Sequence, residues 1–205
     1  MKHRVGFTLV EVLVVVVIAV SVTAFAVPLY KKTQERNRFL AAQGMLLDIS
    51  SAFHSLRADL ISTGRTDAIV TAPSSPVQLT TTHQLTTNNT YKKVKGAESL
   101  SDTTNVTVSG VPYALFARDY MQPIPYDSGN TYKGYQYYLC PATLHAAKNH
   151  CCHLSTIACM RKSSSCAATG TADFQGAYVN EGGLVVPVDK SSTDAEKKST
   201  CAISY

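Results

Sequence analysis

The segment that most constrains this chain is Val12 to Val27, an uncharged run of Val, Leu, Ile, Ala and Phe broken only by Ser21 and Thr23. A helix from Phe7 to Leu29 would be roughly 33 Å long, enough to cross the hydrocarbon core of a bilayer. Ser21 and Thr23 can return their hydroxyls to the helix backbone. Glu11 is the anomaly: a carboxylate inside an apolar segment costs a few kcal/mol, about 2.5–3.5 at the centre of a span, unless it is paired or close to the interface. Either Glu11 has a functional partner, or it lies about one turn inside the membrane and snorkels to the headgroups. Pro28 has no N–H and its ring opposes the carbonyl of Ala24, so a kink or local melting of the helix is expected there.

The flanks of this run carry a resemblance. Met1-Lys2-His3-Arg4-Val5-Gly6 is a short basic leader ending in Gly, and Phe7-Thr8-Leu9-Val10-Glu11 follows it. This resembles the N-terminus of the type IV pilin and pseudopilin family. The resemblance implies cleavage after Gly6 and N-methylation of Phe7 as the new N-terminus. It also implies an assembly role for Glu11 at the fifth mature position, and it places Pro28 at the twenty-second. Implied with these are a prepilin peptidase and methyltransferase, an inner-membrane assembly platform with its ATPase, other pilin subunits, and membrane lipid before assembly. No cofactor is implied. The competing reading is an ordinary signal peptide cut after Ala26, since Ala24-Phe25-Ala26 has the small-x-small form. Glu11 would then sit in the apolar part of the signal, where a charge is unwelcome.

Past Pro28 the apolar residues change period. Phe39, Ala42, Leu46, Ile49, Phe53, Leu56 and Leu60 follow one another at spacings of three and four, the stripe of a helix with one buried face. Lys31, Lys32, Glu35, Arg38 and Asp59 occupy the other side. The helix is expected to continue to about Leu60, where Ser62-Thr63-Gly64 stops it, giving about 80 Å of helix from Phe7. The first half needs lipid or neighbouring helices around it, and the second needs only a sheet along one face. Gly44 and the short run of heptads argue against a free-standing coiled coil.

Residues 62–110 are rich in Ser, Thr and Asn and read as an exposed connection, with short strand candidates at Ala68–Thr71 and Val106–Val108. The sheet is expected to begin near Pro112-Tyr113-Ala114-Leu115-Phe116. Turn chemistry follows at Pro123 to Asn130, then an aromatic strand at Gly134 to Leu139, then a hairpin from Tyr178-Val179 through Asn180-Glu181-Gly182-Gly183 to Leu184-Val185-Val186. The expected fold is α+β: a pilin fold with a long N-terminal helix on an antiparallel sheet of about four strands and a disulfide-rich C-terminal region. Its parts are a leader (1–6), a transmembrane and polymerisation helix (7–29), an amphipathic helix (30–61), the connection (62–110) and a sheet-bearing head (111–205).

All six cysteines lie in the last third: Cys140, Cys151, Cys152, Cys159, Cys166 and Cys201. An even number clustered in this way reads as a disulfide framework in an oxidising compartment, with fifteen possible connectivities. Cys140 to Cys201 would resemble the disulfide-bounded region of some pilins. The alternative is zinc held by these cysteines with His145, His150 and His153, but no Cys-x-x-Cys pair exists and the spacing matches no standard finger. No metal site is therefore assigned. The charges flanking the apolar run, Lys31, Lys32, Arg36 and Arg38 on its far side, taken alone favour the opposite orientation from the one the cysteines require.

The net charge is +5. Loss of Lys2 and Arg4 with the leader leaves +3, too mild to imply nucleic-acid binding. No nucleophile elbow, phosphate loop or paired-carboxylate motif occurs, so no enzymatic activity is expected. Asp119 and Asp127 read as turn residues; Asp127 and Asn130 are calcium candidates only by comparison with pseudopilins. Three readings remain: a pilin or minor pilin of a type IV pilus, a pseudopilin of type II secretion, and a signal-anchored extracytoplasmic binding protein that does not polymerise. The first two place the chain in the inner membrane before processing, then in an extracellular pilus or a periplasmic pseudopilus.

Overall fold

The computed structural model describes residues 8–62, 77–84, 110–140, 156–162 and 176–188. The leader, Gly6, Phe7, the strand candidates at 68–71 and 106–108, the three histidines of the zinc alternative, and Cys151, Cys152, Cys166 and Cys201 lie outside the described residues. The chain divides into two compact units, residues 1–38 and 39–205.

Helix α1, Leu9–Ser62, enters both units. In the first unit every large apolar residue from Leu9 to Leu29 is exposed, between 47% and 80%. The helix is long and apolar enough to cross a membrane. Ser21 donates its hydroxyl to the carbonyl of Val17 and Thr23 donates to that of Ala19, each at 2.8 Å, so neither leaves a polar group unsatisfied on an apolar surface. Pro28 stands inside the helix, which continues on both sides of it.

In the second unit the same helix acquires a buried face. Phe39, Ala42, Leu46, Ile49, Phe53, Leu56 and Leu60 are all buried, joined by Ser50 and Ala52. This is the stripe read from the spacing.

Among the described residues the sheet has five antiparallel strands in sequential order: β1 Val77–Gln78, β2 Tyr135–Leu139, β3 Thr156–Lys162, β4 Gly176–Asn180 and β5 Val185–Val188. It begins at Val77, inside the stretch read as connection, and has one strand more than expected. The register aligns side chains in rows across the strands. Tyr137 lies opposite Met160, and Met160 opposite Ala177; Leu139 lies opposite Ala158, and Ala158 opposite Val179. These residues share one core with the buried face of α1. The alternate positions form a second row, Tyr138–Cys159–Tyr178–Val186, on the other face. There Tyr138, Cys140, Cys159, Tyr178 and Val188 make a smaller buried cluster. Two-residue alternation thus divides β2, β3, β4 and β5 between two apolar cores.

Gly176 opens β4 because nothing larger fits: a Cβ would collide with the carbonyl oxygen of Met160 on β3.

The segment Pro112 to Phe116 is not a strand. It lies in helix α3, Val111–Ala117, which follows the single-turn α2, Thr81–Gln84. Pro112 falls in the first turn of α3, where its missing N–H has no helical partner to lose. Val111, Ala114 and Leu115 repeat at three and four and are fully buried. Over five residues, an apolar aromatic run fits a strand and a buried helix equally well.

Between α3 and β2 the chain makes two tight turns. Gly129 and Asn130 both have positive φ, as do Lys133 and Gly134, the pattern of the two-residue turns that match strand twist. The flanking pairs are Ser128 with Thr131 and Tyr132 with Tyr135.

Candidate functional site

The start of α1 is built by two side chains. Thr8 donates its backbone N–H and its hydroxyl to the same oxygen of Glu11, Oε2, each at 2.8 Å. Glu11 returns its backbone N–H to Thr8 Oγ1 at 3.3 Å. This is a reciprocal capping box, and it satisfies donors that the first turn of any helix leaves unpaired. The signal was present in the order Thr8-Leu9-Val10-Glu11, which has the Ser/Thr-x-x-Glu spacing ahead of an apolar run. Reading Glu11 as an isolated carboxylate misses Thr8, its nearest partner.

Among the described residues the second unit contains polar contacts but no comparable assembly. Tyr120 donates its phenol to Asp59 of α1 in a short hydrogen bond. Partial burial, then the facing carboxylate, push that phenol well above its ordinary pKa. Tyr126 donates to the carbonyl of Leu79 at 2.7 Å, and burial raises its pKa too. His83 shares its Nδ1 with the backbone and hydroxyl of Thr80 and stacks edge-on against Tyr113 at 4.6 Å. Burial pulls the His83 pKa down. A cavity of about 300 Å³ beside Met45, Asp48, Ser51, Tyr120 and Gln122 brings together no set of reactive groups.

Both calcium candidates accept hydrogen bonds from the protein itself. Asn130 Oδ1 accepts from Thr81 N–H at 2.9 Å and from Thr81 Oγ1 at 3.1 Å, which uses both of its lone pairs. Asp127 Oδ2 accepts from Lys133 N–H at 2.6 Å. Among the described residues no three His, Cys, Asp or Glu side chains converge as metal ligands. Cys140 and Cys159 are buried on the outer sheet face and neither is free. On the same face the Arg161 guanidinium lies 5.0 Å from the centre of the Tyr138 ring. Arg161 Nε and the Tyr138 hydroxyl both donate to Gln136 Oε1, at 3.2 Å and 3.0 Å.

The capped start of α1 and the exposed apolar turns after it are thus where the sequence motif and the geometry meet. Residues 1–27 match the prokaryotic N-terminal methylation motif. That motif is the signature of type IV pilins and pseudopilins. This signature goes with a substrate of prepilin peptidase and with a membrane-anchored structural subunit of a pilin-type assembly system. Searches of curated proteins and of solved structures find no match to the chain.

Proposed function

We propose that this chain is a structural subunit, a pilin or minor pilin, of a type IV pilus. It is made as an inner-membrane precursor, cut after Gly6 by a prepilin peptidase and N-methylated on Phe7. An assembly platform and its ATPase then draw it from the membrane into a filament. The observation that carries this reading is the methylation motif at residues 1–27, leading into helical turns whose large apolar side chains are all exposed. Such a surface needs lipid or the stems of other subunits as solvent. The commitment of Asn130 Oδ1 to Thr81 favours a pilin over a calcium-binding pseudopilin. The head is held together by disulfides among Cys140, Cys151, Cys152, Cys159, Cys166 and Cys201.

In the filament, Glu11 is the counter-charge for the Phe7 amine of a neighbouring subunit. An unpaired buried charge is strongly unfavourable and a paired one tolerable, so the pair fixes axial register more than it adds net stability. Glu11→Ala, expressed beside the wild type, is expected to insert and be processed normally. It should fall at least about tenfold in the filament fraction, the effect of losing one charge-assisted contact. Normal incorporation would remove the assembly role and leave Glu11 as a snorkelling residue.

A further inference from the structure

Neither processing nor burial of the helix face uses the charges that follow the apolar run. Lys31, Lys32, Arg36 and Arg38 are all exposed and close the first unit of the chain. They stand on the far side of the apolar run from the leader, where basic residues are ordinarily sparse in a membrane protein. At about 100° per residue the four fall within an arc of about 160°, with Glu35 inside it. Thr33, Gln34 and Asn37, all uncharged, complete the circle. Along the axis, Lys31 is about 3 Å and Arg38 about 14 Å beyond Leu29. The headgroup layer outside the hydrocarbon core is about 5–8 Å deep on each side, and lysine and arginine stems are long enough to reach back across the difference. Tyr30, 69% exposed, stands at the boundary of the apolar turns. An aromatic ring with a polar tip suits the interface between membrane and water.

We infer that this basic face binds the phosphates of anionic lipids in the leaflet farther from the leader, and so holds the span of the unassembled subunit at a fixed depth. The inference rests on the membrane span of the proposed function and not on the filament. Four basic side chains and one acidic one leave a local charge of +3. A lipid phosphate carries one negative charge and several acceptor oxygens, which arginine meets with two parallel donors and lysine as a point charge. Depth is what favours lipid over an acidic protein. The face begins within one turn of the apolar run, with Tyr30 at the join, and a leaflet supplies phosphates at that level all round the helix. Basic side chains beside a span are attracted to an anionic surface over about one Debye length.

The test reconstitutes the full chain, purified in detergent, into phosphatidylcholine vesicles, which are first floated on a density gradient. Electron spin resonance then measures the preference of the protein surface for spin-labelled phosphatidylglycerol over spin-labelled phosphatidylcholine. The wild type should show a preference about fivefold greater than the combined variant Lys31→Gln, Lys32→Gln, Arg36→Gln, Arg38→Gln, the effect of one basic side chain close to an anionic surface. Lys2 and Arg4 of the leader contribute equally to both chains, so the ratio isolates the four residues. The difference should shrink in about 1 M salt, where the Debye length is about 3 Å. Glu35→Gln should raise the preference, and Lys31→Arg with Lys32→Arg, which keeps the charge, should match wild type. Equal preference in wild type and the combined variant would overturn the lipid face. If that variant keeps its lipid preference but loses association with other copies of the chain, the face belongs to a protein contact and the proposal also falls. Either result leaves the span intact, because the vesicles have carried the chain with them. A chain that does not float with the vesicles overturns both the lipid face and the proposed function.

Discussion

The two parts of α1 are one uninterrupted helix in two different environments. From Leu9 to Leu29 the large apolar side chains point in all directions and all are exposed. From Phe39 to Leu60 the apolar residues keep to one face, and all seven of the expected stripe are buried. The backbone is helical in both, so what differs is the solvent each part is built for. No described residue of the first part is buried, and in the proposed reading lipid or other subunits cover it. The second carries its core within the subunit, shared with Tyr137, Leu139, Met160 and Val179 of the sheet.

The largest effect that tests this contrast is a truncation in each part. Phe53→Ala removes a fully buried ring and is expected to lower the unfolding free energy of the head by about 3–5 kcal/mol. Val15→Ala should change it by less than about 0.5 kcal/mol, as for an exposed site. Denaturant unfolding of the full chain in detergent, followed by near-ultraviolet circular dichroism, measures both. Similar losses at the two sites would break the distinction.

A smaller effect concerns the link between α1 and the segment after α3. Tyr120→Phe removes the phenol that donates to Asp59. A cost of about 1.5–3 kcal/mol is expected in the same assay, the range for a hydrogen bond to a charged group. An unchanged midpoint would mean that water replaces the phenol without loss.

The smallest expected effect is a pH dependence. Burial holds the His83 pKa below its ordinary value of 6.5, so the unfolded chain takes up the proton first as pH falls. Its contribution to stability is complete above about pH 6.5 and is lost as pH falls below that value toward the lower folded pKa. His83→Gln should flatten the unfolding curve over this interval. A slope that persists in the variant would assign it to other groups.

How far the sequence could be read follows the same division. The stripe on α1 was legible because seven residues at helical spacing leave no alternative period. β2 and the β4–β5 hairpin were legible from aromatic and β-branched residues beside Gly and Asn turns. β3 was not, although it is the middle strand. Thr156 to Met160 is buried on both faces, so it shows no alternation, and Cys159 suggests a disulfide before it suggests a strand. β1 was missed because two residues carry no period at all; it is held by its pairing with Leu139 and Tyr138. At the N-terminus the Glu11 anomaly was plain. Its partner Thr8 was hidden by treating the apolar run as a membrane segment alone, when the first turn obeys the ordinary rules of helix capping.

In the proposed reading residues 1–6 are a leader and the apolar helix stays with the mature protein. The mass of the intact mature chain, with sequencing of its N-terminal peptide, tests it most directly. The account predicts a chain that begins at Phe7, with a methyl group on its amine. A chain that begins at Val27, cut after Ala26, would contradict it, since the whole exposed part of the helix up to that point would then be a discarded signal.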